Sequence, residues 1–357
     1  AGLTLSGCRR WPKEELAPFA ARPEDLIPGV VNHFASMHER GGIAHPMLVA
    51  SFDGRPIKVE SHPKAGYATD VFDQALTLQQ YDPERLRDVL FGKGEDRQRS
   101  SWTTFETWMS GKVEALKADG GSKFAVLAEP TSSLTALRLK AKLKATMPNA
   151  SWVTYEPLNQ DNVIEGSKLA FGGKALRTQF DVSKAKIIAC FDSDFLNHHP
   201  SALPNAKGWA KGRKAVDTDK TMNRMYAVEA GMTITGSSAD ERLPVKPSRV
   251  AHVLVGVANG IGLDAGEVKL ADIEKKFVEL LVNDLKANEG ASVVMAGENQ
   301  PADVHALTHA INKKLKNLDQ TITYSEEPTA EAQSQVASLS ALVEKMTAGE
   351  IDTLVIL

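Results

Sequence analysis

From about residue 101 onward, short apolar runs alternate with longer stretches whose apolar side chains recur every three or four positions. The runs at 123–129 (KFAVLAE), 151–157 (SWVTYEP), 185–192 (AKIIACFD), 224–230 (RMYAVEA), 291–298 (ASVVMAGE), 321–326 (TITYSE) and 351–357 (IDTLVIL) have the length and content of strands. The periodic stretches 103–119, 132–147, 162–172, 271–288, 302–316 and 330–347 predict helices, the second with Ser132 or Ser133 as its N-cap. Strands separated by helices are βαβ units. The fold class is therefore α/β: an irregular N-terminal lobe followed by two doubly wound, mainly parallel α/β domains.

Residues 1–98 break this rhythm, being rich in Pro, Gly and His. Two strand patterns flank Asp53-Gly54 within 47–63, a strong hairpin signal, and 70–86 reads as a helix that stops before Asp82-Pro83. The expected division is a lobe over 1–98, a first α/β domain over 99–277 and a second over 278–357. Both ends look cut. AGLTLSGC (1–8) opens in a small-apolar run without an initiator Met, as after a trimmed export signal, and 351–357 is a strand with nothing following it. The chain reads as a fragment, the second α/β domain truncated.

Composition narrows the chemistry. A net charge of −3, without Lys/Arg clusters interleaved with aromatics, argues against a nucleic-acid partner. The longest apolar stretch, 251–263, is short and interrupted by glycines, so no transmembrane segment is expected. Two cysteines, Cys8 and Cys190, cannot supply an iron–sulfur cluster or a C-x-x-C zinc site. Cys190 reads as a core residue; Cys8, after LSG, is either a lipid-acceptor cysteine or an ordinary one. No G-x-G-x-x-G follows a strand, and no G-K-[ST] exists. His305 and His309 have the i, i+4 spacing of a zinc pair, but no Glu lies between them and a packed helix face explains them better. Ser132 and Ser133 lack a nucleophile elbow. No catalytic residue and no metal ligand is expected in this chain.

The acidic strand end is the remaining candidate. FDSDFLNHHP (191–200) puts Asp192 and Asp194 just past a buried strand, where open α/β sheets bind ligands. The alternative is that both aspartates hold the loop through Pro200 by hydrogen bonds to its backbone.

TITGSSADERLPVKPS (233–248) resembles the strand-end turn of molybdopterin oxidoreductases. The blocks 6–29, 52–66, 79–86, 191–196, 223–243 and 299–315 together resemble the large periplasmic subunit of alternative complex III, the quinol:electron-acceptor oxidoreductase. That resemblance implies a molybdopterin-oxidoreductase type of fold without its pterin, iron–sulfur clusters in a missing C-terminal half, and a twin-arginine-type export signal. It also implies a place on the periplasmic side of the inner membrane, beside a multihaem cytochrome c and an integral membrane quinol-binding subunit.

On this resemblance Asp192, Asp194, Asn197, His198, Glu229 and Asp240 would be vestigial pterin-pocket positions. The departures from working enzymes are local. Glu229, Ala230 and Gly231 stand where Asp-Pro-Arg would meet the cofactor's guanine, Ser248, Arg249 and Val250 follow Pro247 in place of a Gly-Thr-Asp pattern, and 155–166 contains no Ser or Cys to ligate the metal. The leading reading is a cofactor-free scaffold in a membrane quinol-oxidising complex, this chain itself non-catalytic and without molybdopterin. The alternatives are a molybdopterin-dependent catalytic subunit with a divergent pocket, and a generic α/β small-ligand-binding protein.

Overall fold

Asp53 and Gly54 both adopt left-handed backbone, with φ of 47° and 81°, as a two-residue hairpin turn requires. They join two strands in a computed structural model that describes residues 27, 29–214, 221–331 and 333–357. Cys8, the export-signal reading and most of the block 6–29 lie outside the described residues.

The N-terminal lobe is an antiparallel meander of β1 (Asn32–Arg40), β2 (Ile43–Phe52) and β3 (Arg55–Ser61), covered by α1 (Val71–Gln80). Helix α1 ends before Asp82-Pro83, as the proline dictates. A small ribbon, β4 (Val89–Phe91) with antiparallel β5 (Gln98–Ser100), leads into the body. The turn between β1 and β2 docks on that body. Arg177 Nη1 donates to the Gly42 carbonyl at 2.5 Å, and a Cβ on Gly42 or on Gly41 would meet Arg177 or Pro200 respectively.

The body follows the alternation read from the sequence. In order it comprises α2 (Trp102–Ala118), β6 (Phe124–Ala128), α3 (Leu134–Thr146), β7 (Ser151–Thr154), α4 (Asp161–Ala170), β8 (Leu176–Phe180), β9 (Ile187–Phe191) and α5 (Ala202–Lys211). Then come β10 (Arg224–Glu229), α6 (Ile234–Ser238), β11 (Glu241–Pro244), α7 (Pro247–Gly260), α8 (Asp272–Ala287), β12 (Ser292–Ala296), α9 (Ala302–Lys314), β13 (Ile322–Glu326), α10 (Gln335–Thr347) and β14 (Thr353–Ile356). The apolar stretch 251–263 is mostly α7, and among the described residues no helix is long and apolar enough to cross a membrane.

Two parallel sheets form the body. One runs β11-β10-β9-β12, the other β14-β6-β7; β8 and β13 make a separate antiparallel pair. The larger sheet is buried on both faces, as parallel sheets are. Along β9 the two-residue period sends Ile187, Ala189 and Phe191 into a core with α7, α8 and α9, and Ile188 and Cys190 into a second core with Phe195, Met225 and Met295. Burial holds the Cys190 thiol well above its ordinary range, consistent with a core role.

Strand pairing crosses the expected division at 277. β12 adds to β9 in the larger sheet, whereas β14 returns to pair with β6, Thr353 facing Phe124. Hydrophobic period locates strands, but which edge each strand joins depends on contacts far apart in the chain.

Candidate functional site

The chain leaves β9 through Asp192, whose backbone is left-handed at φ 56° while its N–H donates to the Val228 carbonyl at 2.7 Å. Aspartate tolerates this conformation better than most residues. Gly297, following β12, makes the turn possible: a Cβ there would fall on the Asp192 carbonyl. The Asp192 carboxylate accepts from Gln300 Nε2 at 3.0 Å. Burial raises its pKa, aided by the charge of Glu229 and opposed by the Gln300 and Ala230 hydrogen bonds.

Asp194 Oδ1 accepts from both the N–H and the hydroxyl of Thr235, at 3.0 and 2.8 Å, which ties the loop after β9 to α6. The N–H groups of Asn197, His198 and His199 donate instead to the Asp194 main-chain carbonyl. The side chain of Asp194 thus pins the loop through a backbone N–H of α6, and the carboxylate of Asp192 accepts from the Ala230 backbone, while the loop's own turn is closed by main-chain bonds. The loop closes on backbone, and the side chains reach α6 and the segment after β12. His198 is exposed, its ring 3.9 Å from Asp194 Oδ2.

Glu229 ends β10 and is almost fully buried. Arg242 Nε donates to its Oε1 at 2.6 Å, and the Thr233 hydroxyl to its Oε2 at 2.6 Å. Gly236 lies so close that a Cβ would overlap this carboxylate. Asp240 belongs elsewhere. It receives Arg213 in a bidentate pair at 2.8 and 2.7 Å and the Met225 N–H at 2.7 Å, at the opposite end of β10 from Glu229. Burial opposes ionisation there, but the Arg213 and Met225 hydrogen bonds hold the Asp240 carboxyl below its usual range. The structure therefore gathers Asp192, Asp194, Asn197, His198 and Glu229 at one rim and leaves Asp240 outside it.

Beside the rim, a cavity of about 80 Å³ between α4, β12 and α9 is lined by His199, Glu298, His305 and His309 among others. Burial presses the imidazoles of His305 and His309 down to about 4, leaving them neutral at pH 7. Burial and the charge of Asp194 push Glu298 up to about 7. Glu298 Oε1 and His305 Nε2 are buried without a hydrogen-bond partner. His309 Nδ1 meets the Tyr324 hydroxyl of β13 at 3.0 Å, whereas His305 is buried against α4. Gly166 permits the close approach of α4 to α9, where a Cβ would strike His305.

Ser133 caps α3, accepting from the Ala136 N–H at 3.4 Å, and Ser132 donates its hydroxyl to Glu39 at 3.0 Å. Neither touches an imidazole. Sequence reasoning missed Glu298, Gln300, Thr235 and Arg242. Glu298 stands two residues past β12, so the rule that led to Asp192 reaches it too; the other three come from elements whose approach has no local signature.

No protein-family model matches the chain, and no curated protein matches it in sequence. Among solved structures, acetylene hydratase from Pelobacter acetylenicus is similar at a TM-score of 0.51 and 11% identity, over 81% of this chain and 42% of that one. The fold is a mixed α/β fold similar to that of a molybdopterin enzyme. The match spans less than half of acetylene hydratase, and at this identity the likeness concerns fold alone. The formyltransferase/hydrolase complex from Methylorubrum extorquens, in complex with methylofuran, follows at a TM-score of 0.44 and 15% identity, over 70% of this chain and 72% of that one. That score is too low to bear on the fold.

Proposed function

We propose that this chain is a cofactor-free, molybdopterin-oxidoreductase-like scaffold within a membrane quinol:electron-acceptor oxidoreductase. Its partners in this reading are a multihaem cytochrome c and an integral membrane quinol-binding subunit, on the periplasmic side of the inner membrane. The iron–sulfur clusters belong to sequence outside this chain, and a twin-arginine-type signal exports the protein, with Cys8 a candidate for lipidation.

The observation that carries the reading is the closure of Glu229 on the protein itself. A buried cofactor of pterin type needs a partner for each polar group it brings, and each one left unmade costs about 1–3 kcal/mol. Glu229 is the residue that would face its guanine, yet its two oxygens are occupied by Arg242 and Thr233, with Gly236 pressed against them. Asp194 is similarly committed to Thr235, and Asp240 stands at the wrong end of β10. These residues do not fit a pyranopterin. The rim works instead as a set of internal ties between β9, β10, α6 and the segment after β12.

One observation favours the catalytic alternative. Glu298, titrating at about 7 beside Asp194 with an unpartnered oxygen, has the character of an acid–base group. The test is purification of the intact complex from membranes, elemental analysis and oxidative release of fluorescent pterin. Iron and haem without molybdenum, tungsten or pterin, together with co-purifying cytochrome and membrane subunits, is the expected result. Stoichiometric molybdenum with pterin would overturn the scaffold reading, as would a chain that purifies without such partners.

A further inference from the structure

Away from the rim, β1, β2 and the start of α1 bring His38, His45, Asp70 and Asp73 together inside the N-terminal lobe. One ligand atom from each of His45, Asp70 and Asp73 lies within 4.8 Å of the others. Ligands about 2.0–2.1 Å from a tetrahedral zinc stand about 3.4 Å from one another. His45 Nδ1 and Asp73 Oδ2 are 3.9 Å apart, too far for a hydrogen bond and a few tenths of an ångström beyond that spacing.

His45 supplies the argument. It is 3% exposed, and its Nε2 lies 3.0 Å from the Pro200 carbonyl. A carbonyl only accepts, so Nε2 carries the hydrogen of that contact. Nδ1 is buried, makes no hydrogen bond, and lies 3.9 Å from a buried carboxylate oxygen. Two buried ligand atoms held side by side without a hydrogen bond between them leave a gap that a cation can bridge. An imidazole that donates its far N–H to a backbone carbonyl is also how proteins orient metal-bound histidines.

The remaining contacts leave room for such an ion. Asp70 and Asp73 cap α1 reciprocally, Asp70 Oδ1 accepting from Asp73 N–H at 2.9 Å and Asp73 Oδ2 from Asp70 N–H at 3.2 Å. Each carboxylate oxygen keeps a second lone pair. His38 Nδ1 lies 3.0 Å from Asp73 Oδ1 and steadies that carboxylate. Arg40 Nη2 approaches Asp70 Oδ2 at 2.7 Å without an aligned hydrogen bond, its guanidinium resting over Phe72. Two carboxylates against one guanidinium leave a net negative site suited to a divalent ion, and the imidazole selects a transition metal over magnesium or calcium.

We propose that His45, Asp70 and Asp73 form a binding site for a divalent transition-metal ion of the zinc class, fastening the β1–β2 hairpin to α1 and, through Pro200, to the loop after β9. No motif spacing in the sequence announces it. The test uses the full chain stripped with chelator and titrated calorimetrically with zinc, then with cobalt(II), whose visible bands report coordination. Three variants are compared: His45→Gln, Asp70→Asn, which keeps an oxygen for the Asp73 N–H, and His33→Gln as a distant control. One equivalent of zinc bound by the parent chain and His33→Gln, weakened at least tenfold in the other two, with cobalt bands lost in step, is the expected result. Absence of saturable zinc binding, affinity unchanged in Asp70→Asn, or tighter binding of magnesium or calcium than of zinc would each overturn the proposal.

Discussion

Arg242 holds Glu229 at 2.6 Å in a pair whose carboxylate is nearly sealed from water while its guanidinium is partly hydrated. The asymmetry matters because removing the partner of a buried charge costs more than the pair itself contributes.

Arg242→Met is therefore expected to destabilise the chain by about 3 kcal/mol, since it strands the Glu229 charge. Glu229→Gln alone should cost less, because Arg242 can turn towards solvent. Combining the two should recover much of the loss. Urea unfolding of the three variants measures this, and additive losses in the double variant would refute the pairing argument.

The buried imidazoles give the fold an acid limit. His305 and His309 titrate at about 4 in the fold against about 6.5 in the unfolded chain, so between those values the unfolded state binds protons that the native state refuses. Their stabilisation is complete above pH 6.5 and is lost as the pH falls towards 4. Glu298, at about 7 against an ordinary 4.5, acts in the opposite sense: its contribution is complete below pH 4.5 and is lost as the pH rises through 7. Melting temperatures should climb from pH 4 to 6.5. Glu298→Gln should raise the melting temperature relative to wild type at pH 8, by the equivalent of roughly 1–3 kcal/mol, and change it little at pH 5. A variant less stable than wild type at pH 8 would contradict this.

The turn after β9 sets a third expectation. Asp192→Asn should be close to neutral, whereas Asp192→Ala should cost about 1–2 kcal/mol for left-handed backbone. Gly297→Ala, whose Cβ would enter the Asp192 carbonyl, should cost more than either. Chemical denaturation of the three decides it; equal stability of Gly297→Ala and wild type would show that the contact relaxes without cost.

Long periodic elements such as α8 and the buried run of β9 were legible because one period dominates each. β1 and β8 were not, since NHFASMHER and LRTQF intersperse polar residues and lack an apolar run. At the rim, the end of β9 gave Asp192 and Asp194 correctly as strand-end residues. Asp240, assigned to the pocket only through the resemblance of 233–248, lies instead beside the start of β10, because the chain runs back along α6 before entering β11. Arg242, Thr235 and Gln300 became visible only once three separate elements met.

The pairing of β14 with β6 carries a consequence for synthesis. β6 and β7 leave the ribosome early, but the strand that covers the other edge of β6 is among the last of the described residues to emerge. The stretch from β8 to β13 pairs only within itself and can close while translation continues. Loop closure between distant strands is the slow step of such topologies. In the interval the FAVLA edge of β6 lacks its β14 neighbour and stands open to other strand pairing.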